Sequence, residues 1–155
     1  MAVTVGTKAP DFTLPDQDLK PVTLSTEAGV HNVVLAFFPA AFTSVCTKEL
    51  CTFRDSLARL NGASAAVYGI SVDTPFSLKK FAAEQQLNFP LLSDFNKEVI
   101  RRYDVVIDDL LGLKGLAKRA VFVIDKGGMV RHAEVLADAR NEPDYARVHA
   151  ALAAL

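Results

Sequence analysis

The sequence is poor in the residues that build metal centres and disulfide frameworks. Its 155 residues include two cysteines, no tryptophan and three histidines (His31, His132 and His149), which lie far from the cysteines in the chain. Structural zinc usually takes four cysteine and histidine ligands, so this set is too small and too scattered to predict a metal site. Two cysteines are also too few for the disulfide framework of a small secreted protein. The lack of tryptophan excludes tryptophan fluorescence as a reporter.

Charge and hydrophobicity exclude further classes of protein. The net charge is −1, so no basic surface is predicted that would hold nucleic acid or an anionic membrane. The longest apolar run, Val33 to Phe42, is interrupted by Pro39 and is far too short to span a bilayer. The opening segment "MAVTVGTKAPDF" lacks the basic and apolar regions of a secretory leader, which predicts a cytoplasmic protein.

The remaining composition is that of an ordinary globular protein. Hydrophobic residues make up 50% of the chain and charged residues 23%, and the length suits one domain over residues 1–155. No C-x-x-C-H haem-attachment motif and no glycine-rich dinucleotide motif is present, so we expect no cofactor.

Hydrophobic periodicity predicts alternating strands and helices. We expect two short strands in Asp11–Ser25, single strands at Asn32–Phe38, Ala65–Asp73 and Phe89–Asp94, and a hairpin over Ala120–Leu136 that turns at Gly127-Gly128. We expect helices from Thr43 onward and at Thr74–Gln86, Asn96–Tyr103 and Pro143–Leu155. This order predicts an α/β domain with a central mixed sheet flanked by helices. It resembles a thioredoxin-like fold with an N-terminal β-hairpin extension.

The two cysteines, Cys46 and Cys51, lie in one short stretch, "FFPAAFTSVCTKELC". In an intact helix their positions differ by about 7.5 Å of rise and about 140° of rotation. A disulfide requires Cα atoms within roughly 7 Å and Cβ atoms that face each other. Either the two thiols never meet, or the first turns of the helix unwind when they do.

Cys46 alone occupies a position suited to a nucleophile. It follows a buried strand and falls in the first turn of the next predicted helix, where free backbone N–H groups and the helix dipole favour a thiolate. The alternative is that Cys46 is a small buried hydrophobic residue. It would then belong to the apolar helix face formed by Cys46, Leu50, Phe53, Leu57 and Leu60.

The residues around Cys46 carry a more specific pattern, Pro39-x-x-x-Thr43-x-x-Cys46. Individually, Pro39 could end a strand and Thr43 could cap a helix. Together, at these spacings, they match the signature of the peroxiredoxins, which the sequence resembles over nearly its whole length. The segments "APDFTL", "FFPAAFTSVC" and "RAVFVID" carry this resemblance.

The resemblance implies a role for each of these residues. Cys46 would be the peroxidatic cysteine, which attacks hydrogen peroxide or an organic hydroperoxide and becomes a sulfenic acid. Thr43 would hydrogen-bond the sulfur and the peroxide, and Pro39 would shield the sulfur from water. Arg119, which opens "RAVFVID", would match the active-site arginine of the family. Glu49 could orient Arg119 through a bidentate ion pair.

The role of Cys51 stays open between two subfamilies. Its position resembles that of the resolving cysteine in the Q-type (bacterioferritin-comigratory) peroxiredoxins, which implies an intramolecular disulfide with Cys46 and a thioredoxin-like reductant. The segment "AFTSVC" instead resembles the AhpE-like, one-cysteine peroxiredoxins, which implies resolution by an external thiol or a glutaredoxin-like reductant. Cys51 could also be an inert thiol. Related proteins are monomers or homodimers.

Two other function classes share this fold. A thioredoxin-type disulfide oxidoreductase would lack peroxidase activity, and the missing C-x-x-C motif argues against it. A non-catalytic module, such as a sensor, would react with peroxide without turnover.

Overall fold

The computed structural model describes residues 3–62 and 64–155, and their side chains except those of residues 57–62. The strands in this part of the chain are β1 (Thr13–Pro15), β2 (Pro21–Thr23), β3 (Asn32–Phe37), β4 (Ala65–Ser71), β5 (Leu91–Ser93), β6 (Val106–Ile107), β7 (Leu116–Ala117), β8 (Ala120–Ile124) and β9 (Val130–Val135). The helices are α1 (Leu24–Ala28), α2 (Ser44–Gly62), α3 (Pro75–Glu84), α4 (Glu98–Arg102) and α5 (Tyr145–Ala153).

The central sheet has five strands in the order β5-β4-β3-β8-β9. Strand β3 pairs in parallel with β4 and antiparallel with β8, so that Val34 lies between Val67 and Val123. Strand β4 is also parallel to β5, and β8 is antiparallel to β9. The predicted mixed sheet is confirmed, and its parallel half brings the carboxyl ends of β3, β4 and β5 to the same edge.

The core lies on both faces of this sheet, which explains why β3 is a continuous apolar run. Val33, Leu35 and Phe37 contribute to one cluster of buried residues, and Val34 and Ala36 contribute to the other. Every residue of β3 is buried. A strand covered on both faces has no solvent-facing positions, so the alternating pattern of a half-exposed strand disappears.

The N-terminal extension forms the predicted hairpin. Strands β1 and β2 pair antiparallel, with Leu14 opposite Val22. The turn is closed by Asp16, whose carboxylate accepts hydrogen bonds from the backbone of Asp18 and Lys20. The helix α1 follows directly, and sequence periodicity did not predict it because five residues give little more than one turn.

The other predicted elements are present with shorter bounds. Thr74 caps α3 as expected, since its side chain accepts a hydrogen bond from the backbone of Ser77. The helix expected at Asn96–Tyr103 is restricted to α4, whose first turn is held by the carboxylate of Asp94 through three backbone N–H groups. The β8–β9 hairpin turns at Gly127-Gly128 as predicted, and Gly128 has a φ of +82°.

In the described part of the chain, no helix combines the length and the apolar character needed to cross a membrane.

Candidate active site

The loop between β3 and α2 carries the residues of the sequence motif. Pro39 is buried just after β3, and the backbone of Phe42 has a left-handed φ of +68°. Helix α2 begins at Ser44, and the Thr43 carbonyl accepts a hydrogen bond from the Thr47 N–H. The predicted placement of Cys46 in the first turn of the helix is therefore confirmed.

The sulfur of Cys46 is enclosed by protein and faces a cation. Only 1% of the residue is exposed, and its Sγ accepts a hydrogen bond from Nη2 of Arg119 at 3.3 Å. Burial is also what the hydrophobic interpretation of Cys46 predicts, and Leu50 and Phe53 do lie on the same buried face. Leu57 and Leu60 of that predicted face lie outside the described side chains. The buried guanidinium of Arg119 donates to this sulfur, a polar contact that a purely hydrophobic role for Cys46 does not require.

Arg119 is fixed by several partners at once. It lies immediately before β8, and 2% of its surface is exposed. Nη1 donates to Oε1 of Glu49 at 3.0 Å. Nε and Nη2 both donate to the carbonyl oxygen of Ala139, at 3.1 and 2.8 Å. These contacts hold the plane of the guanidinium, so that Nη2 is directed toward Cys46.

Glu49 reaches Arg119 through one oxygen, whereas the sequence predicted a bidentate pair. Its side chain is fully buried, and Oε2 has no hydrogen-bond partner among the residues that the structure describes. Burial raises the pKa of Glu49 to about 8, because the loss of hydration outweighs the stabilisation that Arg119 provides. The second nitrogen of the guanidinium is occupied by Cys46 and Ala139 instead, which explains the single contact.

Thr43 is oriented differently from the expectation. Its hydroxyl donates to the carbonyl oxygen of Ala40 at 2.7 Å and not to the sulfur of Cys46. Because this bond uses the only hydroxyl proton, the oxygen lone pairs of Thr43 are left as acceptors. The residue is exposed.

Cys51 lies further along α2 and is half-buried. Its Sγ is 3.5 Å from Oε1 of Gln85, which follows α3 and accepts the S–H hydrogen bond. Arg54, three residues later, donates to the backbone carbonyl of the same Gln85. Both cysteines are free thiols, and the helix between them is intact.

Two groups at this site were not found from the sequence. The Ala139 carbonyl leaves no sequence signal, because every residue has one. Asp73 follows β4, and its carboxylate accepts a hydrogen bond from the backbone N–H of Ala41 in the β3–α2 loop at 2.9 Å. The sequence does carry a signal that could have located Asp73. It is a carboxylate directly after a predicted parallel strand, and such strands end at the same edge of the sheet as the site.

Comparison with known proteins decides the family. The model of the AhpC/TSA family matches residues 5–133. The chain belongs to the peroxiredoxin family. Alkyl hydroperoxide reductase E of Mycobacterium tuberculosis is 42% identical to this peroxiredoxin over 135 residues, which cover 86% of each protein. Chloroplastic peroxiredoxin Q of Sedum lineare is 44% identical over 129 residues, which cover 83% of this chain and 67% of the relative.

Solved structures agree with this assignment. The crystal structure of peroxidoxin BcpB from Mycobacterium tuberculosis has a TM-score of 0.88 and 35% identity, and the match covers 99% of this chain and 98% of that one. The bacterioferritin comigratory protein of Xanthomonas campestris has a TM-score of 0.84 and 29% identity, and the match covers 97% of this chain and 98% of that one. The predicted thioredoxin-like fold and thiol-dependent peroxidase activity are confirmed. The two rival function classes, an oxidoreductase without peroxidase activity and a non-catalytic module, are set aside.

Proposed function

We propose that Cys46 is the peroxidatic nucleophile of this enzyme. The observation that carries the proposal is the 3.3 Å contact between its buried sulfur and Arg119. The thiolate sulfur attacks one oxygen of hydrogen peroxide or an organic hydroperoxide, an S–O bond forms, and the O–O bond breaks. The sulfur is oxidised to a sulfenic acid, and the leaving oxygen takes a proton and departs as water or an alcohol.

The surrounding groups supply more than thiolate formation. A free thiol is already a few per cent ionised at pH 7, so complete ionisation gains at most about 30-fold in rate. Further acceleration has to come from donors that stabilise the charge developing on the peroxide oxygens. Arg119 and the backbone N–H groups of Val45 and Cys46 are suited to this role. Pro39 excludes water from the sulfur, and Glu49 fixes the orientation of Arg119.

Thr43 contributes as an acceptor in this proposal. Its hydroxyl proton is used by the Ala40 carbonyl, so its oxygen can accept the O–H of an incoming hydroperoxide. A hydroperoxide anchored in this way presents its oxygen toward Cys46. This role replaces the direct hydrogen bond to the sulfur that the sequence predicted.

We further propose that Cys51 resolves the sulfenic acid. The first turns of α2 unwind, the Cys51 sulfur attacks the sulfur of Cys46, and water leaves as an intramolecular disulfide forms. Because of their spacing, Cys46 and Cys51 cannot form this bond while the helix is intact, so local unfolding of the helix is a required step. The alternative is a one-cysteine cycle, in which an external thiol attacks the sulfenic acid.

The oxidised enzyme has to be returned to its reduced form by a second protein or a small thiol. A thioredoxin-like protein reduces the disulfide, and a glutaredoxin-like protein or a small thiol serves the one-cysteine alternative. The enzyme acts in the cytoplasm as a monomer or a homodimer and needs no metal or cofactor. Light scattering of the reduced and oxidised protein measures the oligomeric state directly.

Intact mass spectrometry tests the assignment of both cysteines. The reduced wild type and the variants Cys46→Ser and Cys51→Ser each receive one equivalent of hydrogen peroxide for a short time. We expect the wild type to lose two hydrogen atoms, Cys51→Ser to gain one oxygen, and Cys46→Ser to stay unchanged. Oxygen gain in both the wild type and Cys51→Ser would support the one-cysteine cycle. No reaction of the wild type would refute the role of Cys46.

A further inference from the structure

The carboxylate of Asp73 is hydrogen-bonded to the backbone of Ala41, 32 residues earlier in the sequence. Asp73 follows β4, and its Oδ2 accepts a hydrogen bond from the backbone N–H of Ala41 at 2.9 Å. Ala41 belongs to the loop that carries Pro39 and Thr43. A side chain from the neighbouring strand therefore holds the backbone of the loop that precedes Cys46.

This loop has an unfavourable backbone conformation at its centre. Phe42 follows the tethered Ala41 and has a φ of +68°, although it is not a glycine. Phe42 is 53% exposed, and its ring meets the ring of Phe81 edge-on, with centroids 5.1 Å apart. Residues held in this region of φ persist only where surrounding contacts keep them there. The Asp73 hydrogen bond is one such contact.

Asp73 is itself held from two further directions. The hydroxyl of Ser71 donates to the same Oδ2 at 2.6 Å, and it accepts the backbone N–H of Asp73 at 3.2 Å. The hydroxyl of Ser93, at the end of β5, donates to the Asp73 carbonyl at 2.6 Å. Residues at the ends of β4 and β5 thus hold Asp73 in place, and its carboxylate in turn restrains the β3–α2 loop.

We infer that Asp73 is a positioning residue for the peroxidase reaction. By holding the Ala41 N–H it keeps the β3–α2 loop in one conformation, which fixes the positions of Pro39 and Thr43 in the loop that precedes Cys46. Asp73 does not touch the sulfur or the peroxide. The inference rests on the proposed role of Cys46 as the nucleophile.

Two reactions of Cys46, alkylation and the reaction with peroxide, depend on different contacts. Arg119 lies immediately before β8, which is on the opposite side of β3 from β4, so its contact with Cys46 does not pass through the loop. Loss of the Asp73 tether should therefore leave the thiolate accessible to an alkylating reagent at its normal rate. Reaction with hydrogen peroxide needs the oxygen atoms placed in line with the sulfur, and a displacement of about 1 Å can cost on the order of 100-fold in such reactions.

The experiment compares these two rates in Asp73→Ala, Asp73→Asn and the wild type, all with Cys51→Ser added, so that no second thiol is alkylated and no disulfide consumes the sulfenic acid. Sulfenic acid formation is measured with hydrogen peroxide, and alkylation with iodoacetamide, by quenched reactions and mass spectrometry. We expect Asp73→Ala to lower the peroxide rate by about 10- to 100-fold and to change the alkylation rate less than about threefold. Asp73→Asn should recover most of the peroxide rate, because its amide oxygen can still accept from Ala41.

The matched control is Asp125→Ala. Asp125 also holds a turn, since its Oδ1 accepts from the backbone of Gly127 and Met129, but it lies in the β8–β9 hairpin. We expect both rates of this variant to equal those of the wild type. If it lost peroxide reactivity as strongly as Asp73→Ala, the effect would be one of general destabilisation, and the inference would be overturned.

Other outcomes are equally decisive. An unchanged peroxide rate in Asp73→Ala, or equal losses of both rates, would overturn the positioning role. A wild type that does not react with peroxide would refute the proposed role of Cys46 itself. If circular dichroism shows that Asp73→Ala is unfolded, Ser71→Ala replaces it. That variant removes one hydrogen bond to the same carboxylate, and a selective loss of a few-fold is expected. No selective loss would overturn the inference.

Discussion

Nη2 of Arg119 lies 3.3 Å from the sulfur of Cys46, although the two residues are 73 positions apart in the sequence. The guanidinium is held in that orientation by the Glu49 carboxyl and the Ala139 carbonyl. Both the position of the charge and the plane of its donors are therefore fixed before a peroxide arrives, which is the condition for strong electrostatic stabilisation of a transition state.

Arg119→Lys should slow the reaction with hydrogen peroxide by about 100-fold, because an ammonium cannot reproduce the planar fork that contacts three groups at once. The measurement is competition for a limiting amount of hydrogen peroxide against a second peroxidase of known rate. Arg131→Lys is the control, since Arg131 is partly exposed and pairs with Asp125 away from the site. A similar loss in both variants would contradict the prediction.

Glu49→Gln should alter how stability depends on pH. The pKa of Glu49 is raised by burial to about 8, whereas the unfolded chain ionises this group near its usual, lower value. The stability that the raised pKa provides is complete below the unfolded value and is lost as the pH rises through the folded value. Between about pH 4.5 and 8, the unfolding free energy of the wild type should therefore fall relative to that of Glu49→Gln.

Denaturant unfolding followed by circular dichroism at several pH values measures this difference. Glu142→Gln is the control, because the hydrogen bond from Tyr145 lowers the pKa of Glu142 and confines its contribution to acid pH. A constant difference between the wild type and Glu49→Gln over the whole range would show that Glu49 does not titrate there.

Gln85→Ala should accelerate disulfide formation after oxidation. The S–H of Cys51 is hydrogen-bonded to Oε1 of Gln85, and this bond has to break before Cys51 attacks. A hydrogen bond contributes about 1 kcal/mol net, so the gain is at most about fivefold. Quenched samples analysed by mass spectrometry give the rate. Gln86→Asn is the control, because Asn tolerates the left-handed backbone of Gln86.

A slower or unchanged rate in Gln85→Ala would mean that this contact does not restrain Cys51. The absence of any disulfide in the wild type would instead refute the resolving role of Cys51. The two results are therefore separable in one series of samples.

Gly69→Ala should destabilise the fold by about 1–3 kcal/mol, the usual cost of overpacking a core. A Cβ at this position would lie 2.7 Å from Cδ2 of Leu91 and 3.3 Å from Cε1 of Phe38, and both side chains are buried. Thermal unfolding measures the effect. Gly29→Ala, where the nearest atom would be 3.4 Å away, should change stability much less. Equal effects would contradict this explanation.

The sequence predicts those features of the fold and the site that depend on residues close together in the chain. The buried strands β3, β4 and β8 are continuous apolar runs, and Thr74-Pro75 is a recognisable helix start. Cys46, Arg119 and Glu49 can be assigned to one site from the sequence, because family motifs preserve spacing. Elements of two to five residues, such as α1, β6 and β7, were missed since they are too short to show a period.

Details that depend on which atoms meet could not be predicted. The Thr43 hydroxyl bonds to a backbone carbonyl instead of the sulfur, and Arg119 divides its donors among three partners. Asp73 follows a strand as many surface carboxylates do, and only the parallel pairing of β3 and β4 brings it to Ala41. Tertiary geometry decides each of these contacts.

The near-complete burial of Cys46 also determines which molecules can meet its sulfur. With 1% of the residue exposed, the sulfur lies out of reach of the thiol of another folded protein. In the proposed disulfide cycle, electrons from a protein reductant enter only after α2 opens, so reductant molecules are not occupied by enzyme that is already reduced.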